Sequence, residues 1–502
     1  MFSFVENLNF YLLIILKLSY NIECRLNFKD NTGDAMTEKT KKPIKNETAR
    51  RKILSMIGPV TGENLLQMAA TVVTLIYVGR ISPLIVGAVG ISNIIFRIIW
   101  TFLKGLGIGA SAHVAQSYGA GENHKILFLS KQGVLIALGF SIIFQQLIYH
   151  FTDTILLVFD PSSELLSNAA VFLKTISWSL PFSAVILMAN GIFQGMGNAK
   201  IPMVATGILN VLNIVLGYVL IFGNLGFPEL GLRGAGYAFT IGHIFGFAFI
   251  VYKLFKEMDQ IVVENDKYYN IVKKDEIIQL LKYGIPTSFE MAFWQISSIF
   301  LTRAILNYGE VVYAAYQLGL QAEAISYMPA LGISIASATF IGQSFGTKDL
   351  KKAKIYYKEL FRITVIITAF TGGALILFPS TIMRVLTTDA ETIKIGSLYL
   401  FIMGFTQLPQ NLGFMFNGIF RGAGYPNIPV TISGIGVWLI RVPLALIISF
   451  ILDWDIIYIW YVLALDLTAR FIIAAILLKK MKIFDKFKID KVKNKKIQGE
   501  TK

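Results

Sequence analysis

The stretch NGIFQGMGNAKIP, residues 190–202, returns as NGIFRGAGYPNIP at residues 417–429, a shift of 227 residues (190 to 417). The same shift carries Pro59 onto Pro286, Gly105 onto Gly332, and Gln116, Ser117 and Gly119 onto Gln343, Ser344 and Gly346, without a gap. A repeat of this length and fidelity means one structural unit used twice. What the unit is follows from its solvent. The chain has 502 residues, 55% hydrophobic and 15% charged, with mean hydropathy +0.61. That is more apolar surface than a soluble chain can bury in its cores.

A membrane span needs about 20 mostly apolar residues. Windows of that length predict helices over 57–79, 84–117, 126–150, 168–190, 202–223, 234–255, 281–306, 312–342, 356–378, 396–418, 429–452 and 456–478. The repeat then covers an even number of helices, so its two copies keep one orientation and are related by an axis along the membrane normal. The expected fold is an all-α integral membrane protein: twelve transmembrane helices in two pseudo-symmetric six-helix lobes, facing each other across a midplane cavity.

Charge placement agrees. The net charge of +15 comes from lysines and arginines before the first helix (Lys39 to Lys52), around the sixth connection (Lys253 to Lys282), in the eighth (Lys348 to Lys354) and in the tail. The odd connections hold Asp160, Glu164, Asp453 and Asp455 instead. The positive-inside bias makes this a cell-membrane protein with both termini cytoplasmic. The basic tail should meet anionic lipids rather than nucleic acid. The segments read as a flexible N-terminal arm over 1–50 with Met36 as its working start, an N-lobe over 51–256, a cytoplasmic linker over 257–280, a C-lobe over 281–480 and a basic tail over 481–502.

The repeat also sets Glu63 on Glu290, each four residues after its proline. A carboxylate at the centre of a membrane helix costs roughly 2.5–3.5 kcal/mol and usually faces a cavity or ion path. In a low-dielectric cavity it takes up a proton or holds a cation rather than standing bare. Two matched positions favour use over structure, although a buried structural pair or snorkelling to the interface would also place an acid there.

These residues resemble the multidrug and toxic compound extrusion (MATE) family over roughly 50–480. The likeness rests on the proline-bearing first and seventh helices, VAQSYGAG (114–121) and FIGQSFG (340–346), and the two linkers quoted above. It implies twelve helices in two lobes and export of drugs or metabolites coupled to inward sodium or proton movement. It also implies that Glu290 is the acidic residue of the seventh helix that couples cations. Three acids common in the family are absent here: Thr74, Gly217 and Gln410 stand in their places. Glu63 is the candidate substitute in the N-lobe.

Further candidates to line the cavity or bind cation or substrate are Glu323, Gln317, Gln67, Gln410, Asn213 and Arg97. Arg97 and Lys104, seven apart on one helix face, could neutralise Glu63. Arg303 could pair with Glu323, and Asp466 and Arg470, four apart, read as an in-helix ion pair. No cofactor is expected beyond a coupling ion, Na+ or H+, with Glu290 or Glu63 as the place for Na+. The single cysteine, Cys24, and four histidines without ligand spacing give no metal centre. No Walker-type loop appears, so energy should come from an ion gradient. The leading reading is a monomeric antiporter for small, cationic amphiphilic substrates. The rivals are a lipid-linked saccharide flippase, which would want a larger, more basic groove, and a membrane-embedded enzyme, for which no nucleophile–base or metal constellation is found.

Overall fold

The computed structural model describes residues 46–261, 274–481 and 483. They form fourteen helical elements: α1 (Asn46–Gly79), α2 (Pro83–Ala120), α3 (Asn123–Leu156), α4 (Ser163–Ser177), α5 (Leu180–Gly195), α6 (Lys200–Phe222), α7 (Gly231–Ile261), α8 (Lys274–Leu306), α9 (Glu310–Gly346), α10 (Leu350–Leu377), α11 (Pro379–Leu386), α12 (Ala390–Gly422), α13 (Asn427–Leu452) and α14 (Ile456–Lys480). No strand occurs among the described residues. With α4 and α5 as one span bent by 48°, and with α11 a single short surface helix, they make twelve membrane crossings, six on each side of the α7–α8 connection. The bend falls where Pro181 opens α5, as a proline that cannot continue the preceding hydrogen-bond ladder requires.

Eight helices and the bent pair are long and apolar enough to cross a membrane on composition alone. The three other long helices are α1, α8 and α12. They carry Glu63, Glu290, and the set Gln407, Gln410, Asn411, Asn417 and Arg421. Polar residues of this kind in membrane helices face the bundle interior or a cavity rather than lipid.

Within the described residues α1 and α8 reach back to Asn46 and Lys274, earlier than the apolar windows indicate, because both helices extend into charged sequence. Pro59 and Pro286 therefore lie inside the helices. Membrane helices tolerate interior prolines because neighbouring groups can satisfy the freed carbonyls. Glu63 and Glu290 consequently sit at mid-helix, with about 24 Å of helix on either side at 1.5 Å per residue.

The two lobes meet tightly at one end, the end where α2, α5, α9 and α12 terminate. The first half of each lobe's leading helix crosses to the other lobe. Ile53, Met56 and Ile57 of α1 pack with Ile333, Phe340, Tyr356 and Phe416, while Gly284 of α8 lies on Leu106 of α2. At the tips, Gly119 is pressed against the Gln343 backbone and Gly346 against the Gln116 backbone. Gln116 Nε2 donates to the Gly422 carbonyl at 2.8 Å and Gln343 Nε2 to the Gly195 carbonyl at 3.0 Å. The 227-residue shift relates both partners of these two bonds. The glutamine of each QS motif thus latches onto the glycine linker of the opposite lobe, which accounts physically for both repeated motifs. Gly119→Val would put a branched side chain into backbone. We expect such a protein to insert and purify normally while its transport falls to background; unchanged transport would show that this closure is dispensable.

Candidate functional site

Beyond this closed end the lobes enclose a cavity of about 500 Å³, lined from both sides. Its walls include Glu63 and Asn64 of α1, Lys104 of α2, Asn190 and Gln194 of α5, Glu290 and Trp294 of α8, Glu323 and Tyr327 of α9, Tyr399, Gln410 and Arg421 of α12, and Arg441 of α13. Three acids and three bases face it, so recognition of charge depends on where each group stands rather than on net charge.

The matched carboxylates share a scaffold. Asn190 Nδ2 donates to Glu63 Oε1 at 3.0 Å, and Asn417 Nδ2 donates to Glu290 Oε1 at 3.0 Å. The asparagines are the first residues of the repeated NGIF stretch, so the symmetry extends to individual hydrogen bonds. It ends at the second oxygen. Glu290 Oε2 receives Arg421 Nη1 at 2.8 Å, and Arg421 Nη2 donates on to Ser334 Oγ at 2.8 Å. The position equivalent to Arg421 in the N-lobe is Gln194, which makes no bond to Glu63. Glu63 Oε1 takes a further hydrogen bond from Thr206 at 3.3 Å, while its Oε2 and the Asn190 Oδ1 are buried without partners. One lobe therefore holds a closed ion pair and the other holds unfilled acceptor oxygens.

Lys104 is the cation whose field acts on Glu63. Its Nζ lies 3.5 Å from Asn64 Oδ1 and 4.9 Å from the Trp100 ring centroid. Arg97, the other base offered for that role, is exposed and lies outside the cavity. Glu323 is buried and accepts from Tyr399 Oη at 2.7 Å and Gln407 Nε2 at 3.0 Å. Arg303 is exposed and makes no bond to it, because α12 rather than α8 supplies the partners. Gln410 lines the cavity with its Oε1 buried and unpartnered.

Three further candidates stand away from the cavity lining. Asn213 donates to Thr74 Oγ1 at 3.4 Å between α6 and α1, so the place of the missing family acid is held by a neutral hydrogen bond. Gln317 donates to Tyr313 Oη at 2.6 Å. Gln67 stands one turn along α1 from Glu63 and is not part of the wall. The Asp466–Arg470 pair forms within α14 with Nε to Oδ1 at 2.6 Å, and it gains a member the spacing did not announce: Arg441 Nε donates to Asp466 Oδ2 at 2.7 Å.

The MatE family profile matches residues 59–219 and again 286–447, the two copies of the repeat. The chain belongs to the MatE family. Relatives of this MatE protein include a probable multidrug resistance protein NorM of Thermotoga maritima, 29% identical over 79% of this chain and 85% of that one. Another is a probable multidrug resistance protein YoeA of Bacillus subtilis, 26% identical over 85% of this chain and 91% of that one. Among solved structures, the outward-facing conformation of a multidrug resistance MATE family transporter superposes with TM-score 0.79 at 20% identity, over 87% of this chain and 96% of that one. At that identity the structural likeness bears on the fold, and it agrees with the two six-helix lobes of this MatE protein.

Proposed function

We propose that this chain is a secondary active exporter. It moves small organic cations, drugs or metabolites outward by alternating access, driven by an inward Na+ or H+ gradient. The observation that carries the reading is the asymmetric carboxylate pair. Glu290 is neutralised by Arg421, whereas Glu63 has a buried oxygen with no partner beside the unpartnered Asn190 Oδ1 and the Thr206 hydroxyl. A buried carboxylate with one oxygen left unpartnered suits a proton or a hard monovalent cation. A cationic substrate entering the same cavity competes for the same charge, so each leaves when the other arrives. The closed end carries Arg50, Arg51, Lys52, Lys348, Lys351, Lys352 and Lys354, and we take it as the cytoplasmic end. The cavity then belongs to an outward-facing state.

Its volume falls in the range of about 300–1,000 Å³ typical of small-molecule sites, which favours this reading over a lipid-linked saccharide flippase. The test is export of a fluorescent organic cation from intact cells or inverted vesicles under separately imposed proton and sodium gradients. One of the two gradients should accelerate export. A rate indifferent to both would overturn the proposal, and a sugar-phosphate lipid retained by the purified protein would favour the flippase.

A further inference from the structure

The two matched acids differ in what the base beside each is free to do. Arg421 is fixed on Glu290, with one Nη on the carboxylate and the other on Ser334 Oγ. Lys104, whose charge acts on Glu63, is not bonded to it. Glu63 Oε1 accepts from Asn190 and Thr206, and Oε2 has no partner.

The ammonium is parked beside the acid instead. Asn64 follows Glu63 on α1, and its Nδ2 donates to the Val60 carbonyl at 2.8 Å. That leaves Oδ1 as the free acceptor, and Lys104 Nζ donates to it at 3.5 Å. Trp100 stands four residues before Lys104 on the same face of α2, with its ring centroid 4.9 Å from Nζ. A ring face shielded from water attracts an ammonium, and this ring is itself packed against the N-lobe core. The repeat does not impose the arrangement, since the mates of Asn64, Trp100 and Lys104 are Met291, Tyr327 and Leu331.

A cation that leaves Glu63 strands a buried carboxylate, and removing one partner of a buried pair is strongly unfavourable. Lysine carries a point charge on a flexible four-carbon stem, whereas arginine holds a carboxylate through a planar fork. We propose that Lys104 is a tethered counter-ion with two seats. Held by Asn64 and Trp100 it leaves Glu63 open; swung onto Glu63 it takes the place of a departed cation. Asn64 and Trp100 are then positioning residues that keep the site available, and Lys104 is a built-in competitor that keeps any cation from being held too tightly to leave. This rests on the reading of Glu63 as the exchange site and supplies the group that empties it.

The probe is a fluorescent organic cation, titrated at fixed pH and sodium against the purified full-length protein in neutral detergent. K104M, which removes the competitor, should bind it at least tenfold more tightly than the parent. W100L, which removes the ring face from the parked seat, should bind it about fivefold more weakly, and the W100L, K104M double variant should bind as K104M does. In an E63Q background the K104M change should alter affinity by less than twofold. Parental affinity in K104M would overturn the proposal even if W100L failed to fold. A loss in W100L that persists in the double variant would also overturn it, because Trp100 would then act on the probe or the fold rather than through Lys104. So would a tenfold gain from K104M that survives in E63Q, because Lys104 would then repel the probe directly. If these shifts appear while neither gradient drives export, the two-seat lysine stands and the export reading fails. If a gradient drives export while K104M binds as the parent does, this inference fails and the export reading stands.

Discussion

A Glu63→Gln variant should lose gradient-driven export while inserting and purifying like the parent. Glutamine keeps the size and can keep the Asn190 and Thr206 hydrogen bonds, but it cannot take up a proton or hold a cation at the unpartnered Oε2 position, as the proposed role of Glu63 requires. Coupling between two sites is commonly worth up to about 3 kcal/mol, or roughly 150-fold. On the role proposed for Glu63, its loss should therefore reduce the response to an imposed gradient by about 100-fold. The check is export in proteoliposomes with and without the gradient: the variant's two rates should coincide. A gradient response of parental size would place coupling elsewhere.

The second large effect is on stability, and it falls on the other acid. Arg421→Met removes the partner of a buried carboxylate and leaves Glu290 with Asn417 alone. Breaking a buried pair from one side costs about 3–5 kcal/mol, whereas replacing both partners is often near neutral. Thermal unfolding of the detergent-solubilised protein should therefore show a large loss for Arg421→Met, and most of it should return in the Glu290→Gln, Arg421→Met double variant. The double-variant cycle isolates the pair, since both residues act on the same contact. Additive losses would mean that Arg421 serves Ser334 and the helix packing rather than Glu290. The double variant has a functional consequence as well: if Glu290 is a structural counter-charge here, it should still respond to the gradient. That would separate this chain from the expectation, carried by the MATE resemblance, that the seventh-helix acid couples the ion.

The sequence exposed the architecture because the repeat and the apolar windows are both long-range regularities. Twelve segments followed from the windows, the three polar helices α1, α8 and α12 among them, and two lobes from the repeat. Helix starts were harder to place. Solvated first turns of α1 and α8 carry charge, and apolarity says nothing about a helix that extends into water. The acids of the site were legible because a carboxylate in an apolar run is conspicuous. Their partners were less so, although Asn190, Asn417 and the change from Gln194 to Arg421 all stood inside the repeated stretch. The change from Gln194 to Arg421 within an otherwise similar pair of motifs separates a sealed Glu290 from an open Glu63. Arg441 could not be found from spacing, because it meets Asp466 from another helix 25 residues away in sequence. Asn213, Gln67, Gln317 and Arg97 were polar residues on the right helices, but hydropathy cannot resolve helix rotation, and none of the four is part of the cavity lining.

The most direct test of the account is competition between substrate and coupling ion on the purified protein. Binding of a fluorescent organic cation is measured at a series of proton concentrations and, separately, of sodium concentrations, for the parent, for Glu63→Gln and for the Glu290→Gln, Arg421→Met double variant. The account predicts that one of the two ions weakens substrate binding competitively in the parent and in the double variant, and that this competition is absent in Glu63→Gln. Competition that persists undiminished in Glu63→Gln would contradict it.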